Sequence, residues 1–204
     1  AVKGWSPSPA TAATAAAPPG NTKTTRATSA LAGRSWAAKR LVNGLPVNLH
    51  LRPFRNGDEA ALRAVFYSSV HALARRHYSP AQLAAWAPRL YDPAQWRALI
   101  RANQPFIAEL DGAIAGYADV QPSGYIDQFF VAGDWAGRGV ARTLMAQIHH
   151  TAAQARMPRL WAQVSLSAEP FFRRSGFVLE ARQQVTVRGV VLANARMGKP
   201  LIAP

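Results

Sequence analysis

Apolar and polar positions alternate with period two from Val47 to Arg52, the pattern of a half-buried strand. Asn56-Gly57-Asp58-Glu59 then supplies caps and early acids for a helix running to about His77. Its apolar positions Leu62, Val65, Phe66, Val70 and Leu73 keep to one broad face. Ser79-Pro80 and Asp92-Pro93 each open a shorter helix, because proline suits the first helical position. The first of these holds Leu83 and Trp86, the second Trp96, Leu99 and Ile100. Residues 106–110 and 113–120, joined at Asp111-Gly112, read as a β-hairpin, and Tyr125 to Val131 as the next strand. From Val140 the period becomes helical, with Leu144, Met145, Ile148 and Ala152 on the same inner face. Leu160 to Ser165 is an apolar strand, and Ala168 to Ser175 a short helix stopped by Gly176. Residues 177–187 and 190–197 form a closing hairpin around Arg188-Gly189. The expectation is an α+β fold: a mixed central sheet of about seven strands flanked by four to five helices.

The junction between the fourth strand and the long helix, FFVAGDWAGRGVARTL from Phe129 to Leu144, carries the most chemistry. A strand–loop–helix turn leaves several backbone N–H groups without intrahelical partners, aligned with the positive end of the helix dipole. Gly137, Gly139 and Ala141 are small enough to let an anionic group approach that backbone. The letters exclude two phosphate fingerprints. No Gly-Lys-Ser/Thr ending of a triphosphate loop is present, and Arg142 stands where the dinucleotide pattern needs its third glycine. Spacing alone leaves two readings open, a diphosphate cradle and a plain structural turn.

Composition narrows the classes. The absence of cysteine removes disulfides, thiolate metal sites and a cysteine nucleophile. No apolar run approaches the ~20 residues that span a bilayer, so a cytoplasmic protein with no membrane partner is the default expectation. The formal charge of +14 invites a nucleic-acid partner, but the distribution disfavours it. Residues 1–46 hold six bases and no acid; from residue 47 onward 18 bases are dispersed among 10 acids. A diffuse basic surface suits an anionic small molecule as well as it suits DNA. Residues 1–46, with TAATAAAPPG as their low-complexity stretch, read as a disordered or non-native basic tail, and residues 47–204 as the folded domain. The tail's acid-free composition also fits an organelle transit peptide, against which its proline breaks argue.

Two segments in this order resemble the GCN5-related N-acetyltransferase (GNAT) superfamily, over about Val47 to Leu201. Ala136-Gly137-Arg138-Gly139-Val140-Ala141 is similar to the family's acetyl-CoA motif, Gln/Arg-x-x-Gly-x-Gly/Ala, with Ala136 in place of the leading Gln or Arg. Ser165 to Phe177 resembles the segment Asn-x-x-Ala-x-x-x-Tyr-x-x-x-Gly-Phe: Ala168, Gly176 and Phe177 match, Ser165 stands for Asn, and Phe172 for Tyr. The wording YIDQFFV and YSPAQLAAWAP is similar to bacterial acetyltransferases of undefined substrate.

The resemblance implies a sheet splayed between its fourth and fifth strands. It also implies acetyl-CoA as co-substrate, bound by Gly137, Arg138, Gly139, Val140, Ala141 and Arg142. Phe129, Phe130 and Val131 on one side of the splay, and Ser165 and Phe172 on the other, would hold the pantetheine arm. A backbone N–H near Phe130 or Val131 would polarise the thioester carbonyl. Tyr125 falls where many relatives carry a carboxylate base, and Asp127, two residues on, lies on the same face. Asp127 is the preferred base or amine-binding carboxylate, with Tyr125 orienting a water or protonating sulfur; a polar residue at a strand start is the plainer alternative. Phe172 cannot supply the proton that the family's tyrosine gives to the leaving thiolate. Tyr78, Trp86 and Tyr91 are candidates for an aromatic acceptor wall, and His149-His150 reads as a solvated pair, not a metal site. The implied activity is acetyl transfer to a primary amine of a small molecule or peptide. A binding-only acyl-CoA regulator of the same fold and a basic nucleic-acid-binding protein are the alternatives. The closing hairpin is the family's frequent homodimer contact.

Overall fold

The computed structural model describes residues 40–42 and 45–201; most of the low-complexity tail lies outside the described residues. Strands β1 (Arg40–Val42) and β2 (Leu45–Val47) pair only with each other. The domain then follows the order β3 (Leu49–Pro53), α1 (Glu59–Leu73), α2 (Pro80–Trp86), α3 (Pro93–Asn103), β4 (Phe106–Leu110) and β5 (Ala113–Ala118). It continues through β6 (Tyr125–Ile126), β7 (Phe129–Val131), α4 (Val140–Gln154), β8 (Arg159–Ser165), α5 (Glu169–Arg174), β9 (Val178–Val187) and β10 (Val190–Pro200).

Local chemistry fixes the helix ends. Ser79 caps α2 in a capping box with Gln82, and the Asp92 carboxylate accepts from the amides of Ala94 and Gln95 to start α3. Asp58 precedes α1 but gives it no side-chain cap, because its carboxylate accepts from Arg52 at 2.7 and 2.9 Å and from the Arg55 amide at 2.8 Å. Helix α1 stops at Leu73, short of His77: the Tyr78 hydroxyl donates to the Ala193 carbonyl and accepts from the Leu166 amide, turning the chain toward β8 and β10.

The sheet divides into two four-stranded halves, β3-β4-β5-β7 and β6-β8-β10-β9. What the alternation predicts as one strand, Tyr125 to Val131, is therefore two pieces in different halves. β6 runs parallel to β8 with Ile126 opposite Ala162, while β7 runs antiparallel to β5 with Phe130 opposite Tyr117. Beyond Ile126 the halves diverge, which is the splay expected between the fourth and fifth strands counted from Val47. From Leu49 onward the described residues form eight strands where about seven were predicted, because the fourth is cut at Asp127–Gln128.

Two apolar clusters flank the sheet. Val140, Leu144, Met145, Ile148 and Ala152 of α4, the predicted inner face, are all buried in the first. Leu62, Val65, Phe66 and Val70 of α1 are buried in the second, whereas Leu73, predicted with them, is 40% exposed at the helix end. Gly116 in β5 sets how closely α4 approaches. A Cβ there would lie 2.8 Å from the Phe130 carbonyl oxygen, 2.9 Å from Val140 Cγ1 and 3.3 Å from Leu144 Cδ1. The backbone oxygen cannot retreat without breaking the β5–β7 pairing. Gly116→Ala is expected to destabilise the domain by roughly 1–3 kcal/mol through overpacking, read as a lower urea midpoint at unchanged slope.

Candidate functional site

Strand β7 leads through a tight turn at Gly133–Trp135 into α4. The turn is tied to α1: the Gly133 amide donates to Ser68 Oγ at 3.0 Å, and a Cβ on Gly133 would meet Ala72 Cβ at 2.5 Å. Gly137 and Gly139 both adopt left-handed backbone, at φ +79° and +89°, a conformation that side-chain-bearing residues rarely take. Arg138 donates its amide to the Trp135 carbonyl at 3.4 Å, and the first bond of α4 runs from the Thr143 amide to the Gly139 carbonyl. Among the described residues, the amides of Gly137, Gly139, Val140, Ala141 and Arg142 have no acceptor. Of these residues Gly137, Gly139, Ala141 and Arg142 line a cleft of about 880 Å³, and a Cβ on Gly137 would meet nothing within 4 Å. Arg138, held over the Trp135 ring at 4.9 Å, and Arg142 are exposed on the rim.

The cleft runs down the splay between β7 and β8. The bonds Asp119 N–H to Gln128 O at 3.0 Å and Ala132 N–H to Ala115 O at 2.9 Å bracket the β5–β7 ladder. Antiparallel alternation then makes Tyr117 and Phe130 a bonded pair between them and turns the polar groups of Phe129 and Val131 away from β5, toward the gap. Of the two candidate carbonyl-polarising amides, Val131 is thus the one that faces the cleft. On the opposite wall, Ser165 is buried, its hydroxyl 3.0 Å from Ser167 Oγ and accepting from the Ala168 amide at 3.3 Å. Phe172 is 3% exposed and packs edge-on against Phe129 and Phe177.

The floor of the splay is a pair of carboxylates. Where the chain leaves the ladder, the amides of Asp127 and Gln128 lose their strand partners, and the Asp119 carboxylate takes both, at 3.1 Å each. Asn103, the last residue of α3, divides its amide group between Asp119 at 2.9 Å and Asp127 at 2.7 Å. Gln128 adds a bond to Asp127 at 3.3 Å and receives the Tyr117 hydroxyl at 3.4 Å. Asp119 is 1% exposed; burial first, and the neighbouring Asp127 charge second, push its carboxyl up to about 7.

Asp127 also lines a second cavity of about 480 Å³, walled by Phe66, Trp86, Tyr91, Trp96 and Leu99. Trp86, Asp127 and Phe130 border both cavities, so the two meet there. Of the three aromatic candidates, Trp86 and Tyr91 line this cavity, while Tyr78 lines neither. Tyr125 also lines neither; its ring lies 4.3 Å from that of Trp161. The same-face argument for Tyr125 and Asp127 needs a continuous strand, and the interruption at Asp127 separates them. His149 is half-buried, 3.0 Å from Lys199 Nζ; burial first, and the Lys199 charge second, hold its imidazole below the ordinary range, and no metal-binding group occurs among the described residues.

Asp119, Asn103 and Arg63, the last also in the second cavity, are absent from the sequence reading. The signal for Asp119 is an acid interrupting the apolar run of residues 113–120; for Arg63 it is a cation between Leu62 and Phe66 on an apolar helix face.

A family model described as acetyltransferase (GNAT) domain matches residues 74–198. The chain is 31% identical over 150 residues to the uncharacterized N-acetyltransferase YafP of Escherichia coli (strain K12), covering 74% of this chain and 95% of that protein. A GCN5-related N-acetyltransferase from Rhodopseudomonas palustris superposes with TM-score 0.71 at 34% identity, over 74% of this chain and 94% of that one. The fold of yncA from Salmonella typhimurium, determined with its cofactor acetyl-CoA, matches with TM-score 0.55 at 19% identity, over 76% of this chain and 94% of that one. The chain belongs to the GNAT acetyltransferase family.

The carboxylate pair has a stability signature. Between about pH 4 and 7 the folded protein keeps a proton on Asp119 that the unfolded chain has released, so this contribution is complete at low pH and lost as pH rises through the folded value. Asp127→Asn removes the neighbouring negative charge and lowers the Asp119 carboxyl. The melting temperature of the variant should therefore decline less than that of the parent between pH 5 and about 8, measured side by side.

Proposed function

We propose that this member of the GNAT family transfers the acetyl group of acetyl-CoA to a primary amine of a small molecule or peptide. The observation that carries the reading is the row of amides from Gly139 to Arg142 without an acceptor among the described residues, at the head of a cleft that meets a second cavity at a carboxylate. Residues of this loop suit a diphosphate: small side chains, left-handed glycines and two rim arginines, with no side chain filling the space beside Gly137.

The co-substrate supplies an acetyl thioester. Once the ammonium has given its first proton to a base, the amine nitrogen forms the new C–N bond at the thioester carbonyl carbon and the C–S bond breaks; the second proton lost by nitrogen passes through solvent to the departing thiolate, which ends as the free thiol. Val131 N–H lies on the side of β7 that faces this chemistry and is the donor for oxygen as it gains negative charge. Asp127, at the meeting point of the cavities, pairs with the incoming ammonium and takes its proton. Asp119 is a positioning residue: too buried to touch substrate, it holds the Asp127 backbone in place. The thiolate departs without a side-chain phenol, because Phe172 has none and the Tyr78 hydroxyl is committed to Ala193 and Leu166. Phe172 is also what favours the second reading, binding of acyl-CoA with little turnover.

Titration calorimetry with acetyl-CoA and release of free thiol across an amine panel test these readings. Gly139→Asp places a side chain and a negative charge among the unpaired amides and should abolish acetyl-CoA binding; unchanged affinity would refute the placement. Asp127→Asn should reduce kcat about 100-fold and leave the acetyl-CoA affinity within a factor of about two. A variant as fast as the parent across the pH range removes Asp127 from the reaction.

A further inference from the structure

Arg63 is the most deeply buried arginine of the second cavity, 5% exposed. Its Nη2 donates to the Pro88 carbonyl, whereas its Nη1 is buried with no hydrogen-bond partner among the described residues. Aromatic faces surround the guanidinium, Tyr91 at 4.5 Å and Phe66 at 5.1 Å from its carbon. Rings compensate a buried cation only in part, and a guanidinium removed from water normally ends on a carboxylate. Arg52 shows the usual solution in this same chain: its side chain, 12% exposed, is gripped by Asp58 and Glu109. No acid pairs with Arg63 among the described residues. Arg188, at the tip of the β9–β10 hairpin, brings a second cation to the cavity; it donates to the Ala85 carbonyl at 2.6 Å and likewise has no acid partner among the described residues. The cavity thus holds two cations with no acid partner among the described residues and, in the same lining, the carboxylate of Asp127; Asp92, also in the lining, is taken by the amides of Ala94 and Gln95.

We propose that the acceptor is an amino carboxylate with an apolar or aromatic side chain, its carboxylate bound by Arg63 with Arg188 and its ammonium directed to Asp127. This assignment rests on the acetyltransferase reading and adds the substrate class to it. A cavity of about 480 Å³ accepts a molecule of amino-acid size, and Phe66, Trp86, Trp96 and Leu99 give its side chain an apolar lining. The guanidinium fork matches a carboxylate in two parallel hydrogen bonds, which an amide or a bare amine cannot reproduce.

The test uses the full chain saturated with CoA. Phenylalanine, leucine and methionine are each compared with their own carboxamides by calorimetry, and with acetyl-CoA by thiol release. At least one amino acid should bind 10-fold or more tighter than its carboxamide, although the carboxamide's amine is the easier to deprotonate. Arg63→Gln should erase that preference with acetyl-CoA affinity unchanged, and Arg188→Gln, at an exposed position, should reduce it. Carboxamides binding as well as or better than all three acids overturn the proposal, as does failure of every acid to bind. A preference that survives in both variants does the same. If neutral amines are acetylated while the acids are not, the substrate class falls and the acetyltransferase reading stands. Loss of acetyl-CoA binding by the parent chain is the separate failure of that reading.

Discussion

One carboxylate holds the architecture open. A strand that changes sheets must abandon hydrogen bonds, and here the abandoned donors are the amides of Asp127 and Gln128. Asp119 accepts both from the end of β5, so the break is a fixed shape and not a frayed end. Because the break is fixed, β7 stays with β5, β6 stays with β8, and the gap between them persists as a cleft. The same bonds place Asp127 where the two cavities meet. The arrangement is costly, since Asp119 is buried beside a second acid; Asn103 and Gln121 offset part of that cost with side-chain amides.

The second constraint is distance between layers. Gly116 lets the first turn of α4 settle on β5, which brings the start of the helix level with the exposed edge of β7. Loop amides and strand amides then face the same cleft from two directions. A diphosphate at the helix start and an extended arm along β7 would be read by main chain almost throughout. This explains how Ala136 can replace a polar residue at the head of the loop: the departing side chain was one donor among several backbone ones.

Periodicity made most of the fold legible. The inner face of α4, the proline-opened helices and the closing hairpin are local statements, and local patterns encode them. Interruption of the fourth strand was not legible, because YIDQFFV keeps a strand composition through the break; what divides it is Asp119, eight residues upstream of Asp127 and joined to it only in three dimensions. The turn at Gly137 and Gly139 was legible from letters, since left-handed backbone and a close strand-to-helix junction ask for small residues. Arg63 was not: the helix period marks it as a neighbour of core positions, but whether a buried cation is answered by an acid depends on elements far apart in sequence. Tyr125 shows the converse, a residue whose alternation with Asp127 looked informative until the ladder between them proved discontinuous.

Helix α1 touches both halves of the site. Arg63 reaches the smaller cavity, and Ser68, five residues or about 7.5 Å further along the axis, holds the Gly133 amide under the glycine loop. One helix thus supplies both a wall of the smaller cavity and the peg under the glycine loop, so the spacing between the two is set by the rise of α1 and not by a flexible connection.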